Sequence, residues 1–243
     1  MRITRVVITV AAAGALLTGC GPASKPAAPA APASSKPADN GVAALPANEI
    51  LQRAEAAVNT GGTFRVKGTI KETDGSIALD LKVQSQDLIG SIAAGPVKVE
   101  LLAAGTKRYV RPNAAFWAKT AGPKKAPTIA KLMGDKWVLV TAKDTVLNEL
   151  FETVTIEKLL EPDGQLSKGP VRDIGGVPAI GLVDSKDKGT LYVATTGEPF
   201  PLRLEPEKPG DGELVFSDFG TTFTEVKAPP AAKVVDFSTL AGS

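Results

Sequence analysis

Apolar and polar residues alternate along this chain with two periods, and the period changes at definite places. In "ANEILQRAEAAVNTGG", Ile50, Leu51, Ala54, Ala57 and Val58 recur at helical spacing. Asn48 stands where an N-cap is expected, Glu49 suits a first turn, and Gly61 supplies the stop. Over residues 63–85 the period falls to two. Asp74-Gly75 is a two-residue hairpin signal, and pairing about it sets Ile70 opposite Leu79, Gly68 opposite Leu81 and Val66 opposite Val83. Phe64 and Ile77 join these residues on one face. Arg65, Lys67, Thr69, Lys71, Asp80, Lys82 and Gln84 take the other, as in an antiparallel pair with one dry side. This register also sets Lys67 against Lys82, a like-charge pair.

Residues 88–94, 97–103 and 107–111 continue the strand pattern, whereas residues 112–141 show no period and read as irregular. "TAKDTVLNELFETVTIEKLLEPDG" returns to helical spacing. Val146, Leu147, Leu150, Phe151 and Val154 share a face, Ile156, Leu159 and Leu160 extend it after a break, and Pro162 and Gly164 end it. Strands resume at 166–174, turn at Gly175-Gly176 into 177–183, and recur at 189–196, 201–205 and 213–218. Pro199, Pro201, Pro206 and Pro209 mark short or edge strands, and the Pro-rich stretch after Lys227 reads as the end of the fold. Runs of strands with segregated helices predict an α+β domain: a curved antiparallel sheet, an incomplete β-barrel, with helices packed on the concave face.

The N-terminal 46 residues do not fit this domain. Arg2 and Arg5 precede an apolar run from Val6 to Leu17, the layout of a secretory signal. The run is shorter than the roughly 20 residues a membrane-spanning helix needs. Cys20, the sole cysteine, follows Leu17, Thr18 and Gly19. Leu–small–Gly–Cys at this location resembles the bacterial lipobox, which implies diacylglycerol on the Cys20 sulfur and cleavage before it. The alternative is an ordinary signal with a chance cysteine, but no strong A-x-A-like site precedes Gly19. Two acyl chains anchor a protein stably where one does not. Residues 21–46 are mostly Ala, Pro, Ser and Lys, too poor in large apolar side chains to offset ordering entropy. The expected organisation is a signal peptide at 1–19, the lipidated Cys20 and a disordered Pro/Ala-rich tether at 20–46, and one domain at 47–240. It sits lipid-anchored on the extracytoplasmic face of a cell membrane.

The formal net charge of +2 comes from Arg2 and Arg5, and the remaining side-chain charges balance. A nucleic-acid partner recognised through bulk charge is not expected. The chain has no histidine, which excludes Ser-His-Asp and Cys-His machinery and His-type zinc sites. It carries no nucleotide-binding glycine loop, calcium loop or Ser-x-x-Lys. No enzyme, metal or cofactor is expected. A carboxylate-pair glycoside hydrolase is the remaining enzymatic reading, and two Trp, two Tyr and eight Phe give it few sugar platforms.

The N-terminal helix, the meander, "GTKRYVRPNAAFWAKT", the mid-chain helices and "GTLYVATTGEPFPLRLE" resemble the actinobacterial LppX/LprG-type lipoproteins of the LolA/LolB-like superfamily. The resemblance covers most of residues 47–226 in element order. It implies a cavity between sheet and helices that holds acyl chains of a lipid or glycolipid, in a carrier or chaperone role. Phe64, Val66, Ile70, Leu79, Leu81, Val83, Val99 and Leu101 would line it, with Leu150 and Phe151 from the helical lid. The competing reading is that these residues form a filled core. The alternative function is a non-carrier scaffold or sensor for another envelope protein. Replacing Cys20 by Ser is expected to leave the chain unlipidated and shift it from the membrane to the soluble fraction, as fractionation and intact mass would show.

Overall fold

Strand pairing organises the domain. A computed structural model describes residues 38–72 and 75–236. The expected signal segment, Cys20 and the greater part of the expected tether therefore lie outside the described residues. A 3₁₀ turn, Val42–Ala44, precedes α1 (Ala47–Gly61). A five-strand meander follows: β1 (Thr63–Glu72), β2 (Gly75–Gln84), β3 (Asp87–Ala94), β4 (Val97–Ala104) and β5 (Lys107–Pro112). Next come α2 (Ala114–Ala121), α3 (Ala126–Met133), β6 (Trp137–Val140), α4 (Thr145–Glu152) and α5 (Ile156–Leu159). A second meander holds β7 (Leu166–Ile174), β8 (Val177–Asp184), β9 (Thr190–Ala194), β10 (Pro201–Glu205) and β11 (Gly212–Ser217), and β12 (Val234–Asp236) closes the order.

All described strands join one sheet, in the order β12-β6-β5-β4-β3-β2-β1-β11-β10-β9-β8-β7. The two meanders meet at a single antiparallel seam, β1 with β11, where Val66 faces Phe216. The expected curved antiparallel sheet, an incomplete β-barrel with a concave helical face, is overturned. The ladder runs open between β12 and β7, and these edges do not pair with each other. It is also mixed, because β12 runs parallel to β6. The stretch after Lys227, expected to end the fold, supplies that strand by a long crossover, the connection that parallel pairing requires. At the far edge, β7 breaks register between Lys168 and Val171, around Gly169 and Pro170. A proline there and outward charges on Lys168, Arg172 and Asp173 suit a strand that stays unpaired on one side.

The β1–β2 hairpin keeps the expected faces but shifts by two residues. Ile70 faces Ile77, Gly68 faces Leu79, Val66 faces Leu81 and Phe64 faces Val83. An even shift leaves every side chain on its original side. It sets Lys67 opposite Asp80, with Nζ 3.5 Å from the carboxylate, and brings Arg65 opposite Lys82 in place of Lys67. Asp80 also takes two bonds from Arg65, each 2.8 Å.

Helix ends explain the other differences. Pro46, not Asn48, precedes the first turn of α1, and its carbonyl accepts from Glu49 and Ile50 N–H at 3.0 Å. Gly62, at φ 71°, ends the helix by donating to Val58. The stretch expected to be irregular folds into α2, α3 and β6. Asn113 caps α2 by accepting the Phe116 N–H at 3.0 Å, and Pro127 sits in the first turn of α3. These helices are short, and burial of Trp117, Ala126 and Met133 in the core holds them. Residues 39–45, read from sequence as tether, pack on the domain: Val42 is buried and Asp39 bridges to Thr196.

One face of the sheet carries all five α-helices of the described residues. Val66, Leu81, Leu101 and Val110 are 0% exposed there, in one core with Ile50 and Ala54 of α1, Trp117, Met133, Phe151 and Ile156. The opposite face holds two small apolar clusters, Leu102–Tyr109–Trp137 and Ile174–Ala179–Tyr192, among ion pairs. Gly90 lies between Leu81 and Leu101 in the ladder, and a Cβ there would stand 2.1 Å from the Asp80 carbonyl oxygen. Gly90→Ala is therefore expected to cost about 3 kcal/mol through forced backbone displacement, read as a lower urea midpoint.

Candidate functional site

The sheet face is filled along its middle, and its larger opening lies at one end. There α1 ends, β2 turns into β3, β4 turns into β5, and the α4–α5 junction passes over the strands. Between them lies a cavity of about 810 Å³, within the range of small-molecule sites, roughly 300–1,000 Å³. Its apolar lining comes from Val58 of α1, Phe64, Val83, Leu88 and Ala103 of the sheet, and Phe151, Val154 and Ile156 of the helical layer. Asn59, Ser85, Gln86, Thr106, Arg108, Thr155 and Glu157 supply polar groups.

Each wall follows from local sequence. Thr155 breaks the apolar helical run and caps α5 by accepting the Lys158 N–H at 3.4 Å. The break turns Val154 and Ile156 into the core. Gly62 lets α1 stop above β1, and the Ser85 N–H donates to the Gly62 carbonyl, tying the β2–β3 turn to the helix end. Asp87 accepts the Gly105 N–H at 2.7 Å and joins that turn to the β4–β5 turn.

Arg108 is the one basic side chain of the lining and it stands on the helix-bearing face of β5, paired with Ala103. Its guanidinium lies 2.8 Å from Glu152, donates to Asn148 at 3.4 Å and sits 5.2 Å from the centre of the Phe151 ring. This pins α4 to the sheet through charge and ring contact together. Across the mouth, Asn59 of α1 donates to Glu157 of α5 at 3.0 Å. That bond holds the Glu157 carboxyl below the usual glutamate range. Burial pushes the half-buried Glu55 up, and the nearby Glu157 charge adds to it.

The sequence-derived cavity residues separate into groups. Phe64, Val83 and Phe151 line the cavity. Val66, Leu79, Leu81, Val99 and Leu101 are buried in the packed middle of the sheet, outside the lining. Ile70 lies at the other end of the sheet, in a smaller pocket of about 280 Å³ with Leu204 and Leu214. Leu150 packs half-buried against the core without lining the cavity. Sequence reasoning passed over Leu88 and Ala103, although both fall on the apolar face by the period of two. It also passed over Val58 and Ile156, which were on the recognised helical stripes. Nothing in a one-dimensional pattern distinguishes the end of a stripe from its middle. Among the described residues no group of three or more His, Cys, Asp or Glu could hold a metal ion. No described helix is long and apolar enough to cross a membrane.

No protein-family model matches this sequence, and no curated protein matches it. Among solved structures, the crystal structure of LprF from Mycobacterium bovis is similar, with a TM-score of 0.45 and 14% identity over 75% of this chain and 97% of that one.

The two glutamates should titrate apart. Glu157 is depressed in the folded state, so its stabilisation is present at neutral pH and is lost as pH falls through its folded value. Glu55 is raised, so its ionised form costs stability at neutral pH, and that cost is relieved as pH falls through its own, higher value. Carboxyl NMR titration is expected to show Glu55 protonating first. Asn59→Ala should move Glu157 back up towards the ordinary range.

Proposed function

We propose that this chain is a membrane-anchored extracytoplasmic lipoprotein that takes a lipid acyl chain into the cavity at the end of its sheet, as a carrier or chaperone. The observation that carries the reading is the cavity itself: about 810 Å³, with Val58, Phe64, Val83, Leu88, Phe151 and Ile156 on its apolar side and Asn59, Ser85, Gln86, Thr106, Arg108, Thr155 and Glu157 on its polar side. The lipobox-like Leu17–Cys20 segment and the element order shared with LppX/LprG-type lipoproteins support it. Burial of acyl chain yields about 0.8 kcal/mol per methylene, so ten buried methylenes supply roughly 8 kcal/mol before ordering costs. Binding of this kind needs walls rather than catalytic groups, in keeping with a cavity whose charged side chains, Arg108 and Glu157, are already engaged with protein partners.

The solid packing of Val66, Leu81 and Leu101 sets the scale of the ligand. A tail enters at the sheet end and does not run the length of the face. The ligand is a lipid or glycolipid held by its acyl chain, and an envelope protein would meet the domain through its outer surface.

Native mass spectrometry of the mature chain with Cys20→Ser, purified without detergent and incubated with phospholipid vesicles, tests the proposal. Bound lipid at near-stoichiometric occupancy is expected. Leu88→Trp, which sets an indole into the apolar wall and narrows the cavity, should lower occupancy severalfold with the fold retained by circular dichroism. A clean protein mass after vesicle exposure would overturn acyl binding and favour the scaffold or sensor alternative.

A further inference from the structure

We infer that the domain turns its cavity mouth toward the bilayer that carries its own Cys20 anchor, so that the lipid it exchanges is drawn from that bilayer. The inference rests on the anchored, acyl-binding reading above and adds a direction to it.

Strand directions place the point where the tether leaves the domain. β2 ends, and β3 begins, at the mouth, marked by Ser85 and Gln86. β1 therefore starts at that end, at Thr63, and its partner β11 finishes there, with Arg65 facing Ser217. β10 is antiparallel to β11 and begins there, and β9, antiparallel to β10, ends there at Ala194. The chain enters the domain on this same end. Asn40 donates its backbone N–H to Thr195 at 2.9 Å and its side-chain amide to Ala194 and Gly197, each at 3.0 Å. Asp39 bridges to Thr196, and Val42 is buried behind them. The root of the tether is thus fixed to the mouth end by backbone and side-chain bonds.

The path from root to mouth is short and partly aromatic. Gly197 leads to Phe200, whose ring stacks on Phe219 with centroids 4.1 Å apart, both half-buried. The Phe200 ring lies against Gly61, where an added Cβ would be 3.3 Å away, and the next residue, Gly62, lines the cavity. Half-exposed aromatic rings beside a cavity mouth suit the headgroup boundary of a membrane.

Charge at this end does not supply the attraction. Lys107 and Lys143 stand among Asp87, Asp144, Glu149 and Glu152 near the strand ends. The tether supplies proximity instead. The nineteen residues from Gly21 to Asp39 reach at most about 60 Å at ~3.1 Å per residue, so in a domain roughly 40 Å across the root end is the part held nearest the anchor. Such a linker holds its root end at high effective concentration near the surface.

The test uses the lipidated full chain in phosphatidylcholine vesicles containing a nitroxide-headgroup lipid. With the Cys20 sulfur in its thioether, an introduced cysteine is the only free thiol. Fluorophores go to Lys107→Cys or Glu198→Cys at the mouth end, and to Pro96→Cys or Lys186→Cys at the opposite end. Quenching at the first two is expected to exceed that at the second two several-fold and to persist in high salt. Equal quenching at both ends, or more at the far end, would overturn the orientation. Failure of the chain to float with vesicles would remove the anchor and overturn it also. Lipid occupancy, read by mass spectrometry, separates the two proposals. Bound lipid with equal quenching refutes the direction alone, and end-specific quenching without bound lipid upholds the facing surface while refuting acyl uptake.

Discussion

One row of side chains crosses eight strands: Phe216, Val66, Leu81, Gly90, Leu101, Val110, Val138 and Val235, each directly opposite the next. Every helix packs on the core that this row belongs to. Because a strand's faces alternate residue by residue, a one-residue slip anywhere in the row would turn a whole strand's apolar set to solvent. The glycine in the row is what lets Leu81 lean across β3, with a side-chain methyl in the space a Cβ would need. Helix positions, the filled centre and the open end all follow from holding this register.

Much of this was legible from periodicity. The strand pattern from Phe64 to Val110 and from Leu166 to Ser217 appears at nearly the expected positions, because alternation is a local property. The hairpin register was not, since Asp74-Gly75 advertises a turn that competes with cross-strand charge. The Lys67–Asp80 and Arg65–Asp80 contacts favour the other pairing. α2 and α3 were hidden because eight-residue helices carry too few turns to show a stripe and depend on burial of Trp117 and Met133. β12 was hidden because a three-residue parallel strand has no pattern of its own and exists only where β6 offers an edge.

The cavity was legible in its ingredients and not in its location. The apolar face of β1–β4 is packed along its middle, with α1 against β1 and α2 against β4, and the larger cavity lies at one end. What separates a wall residue such as Leu88 from a core residue such as Leu81 is which helix lies above it, and that is set by the Thr155 break and the Gly62 stop. The start of the described chain, too, was obscured. Asn40 and Val42 sit in a low-complexity neighbourhood, and their role comes from Thr195 and Gly197, more than 150 residues away in the chain.

The β1–β11 seam has a consequence for synthesis. Each meander is wired from near neighbours, but the bond row joining Val66 to Phe216 spans most of the domain. While the chain emerges in order, β1 has a vacant edge until β11 arrives, and a vacant strand edge is a template for wrong partners. The interval between the emergence of Thr63 and that of Ser217 sets how long the first half must wait for its mate.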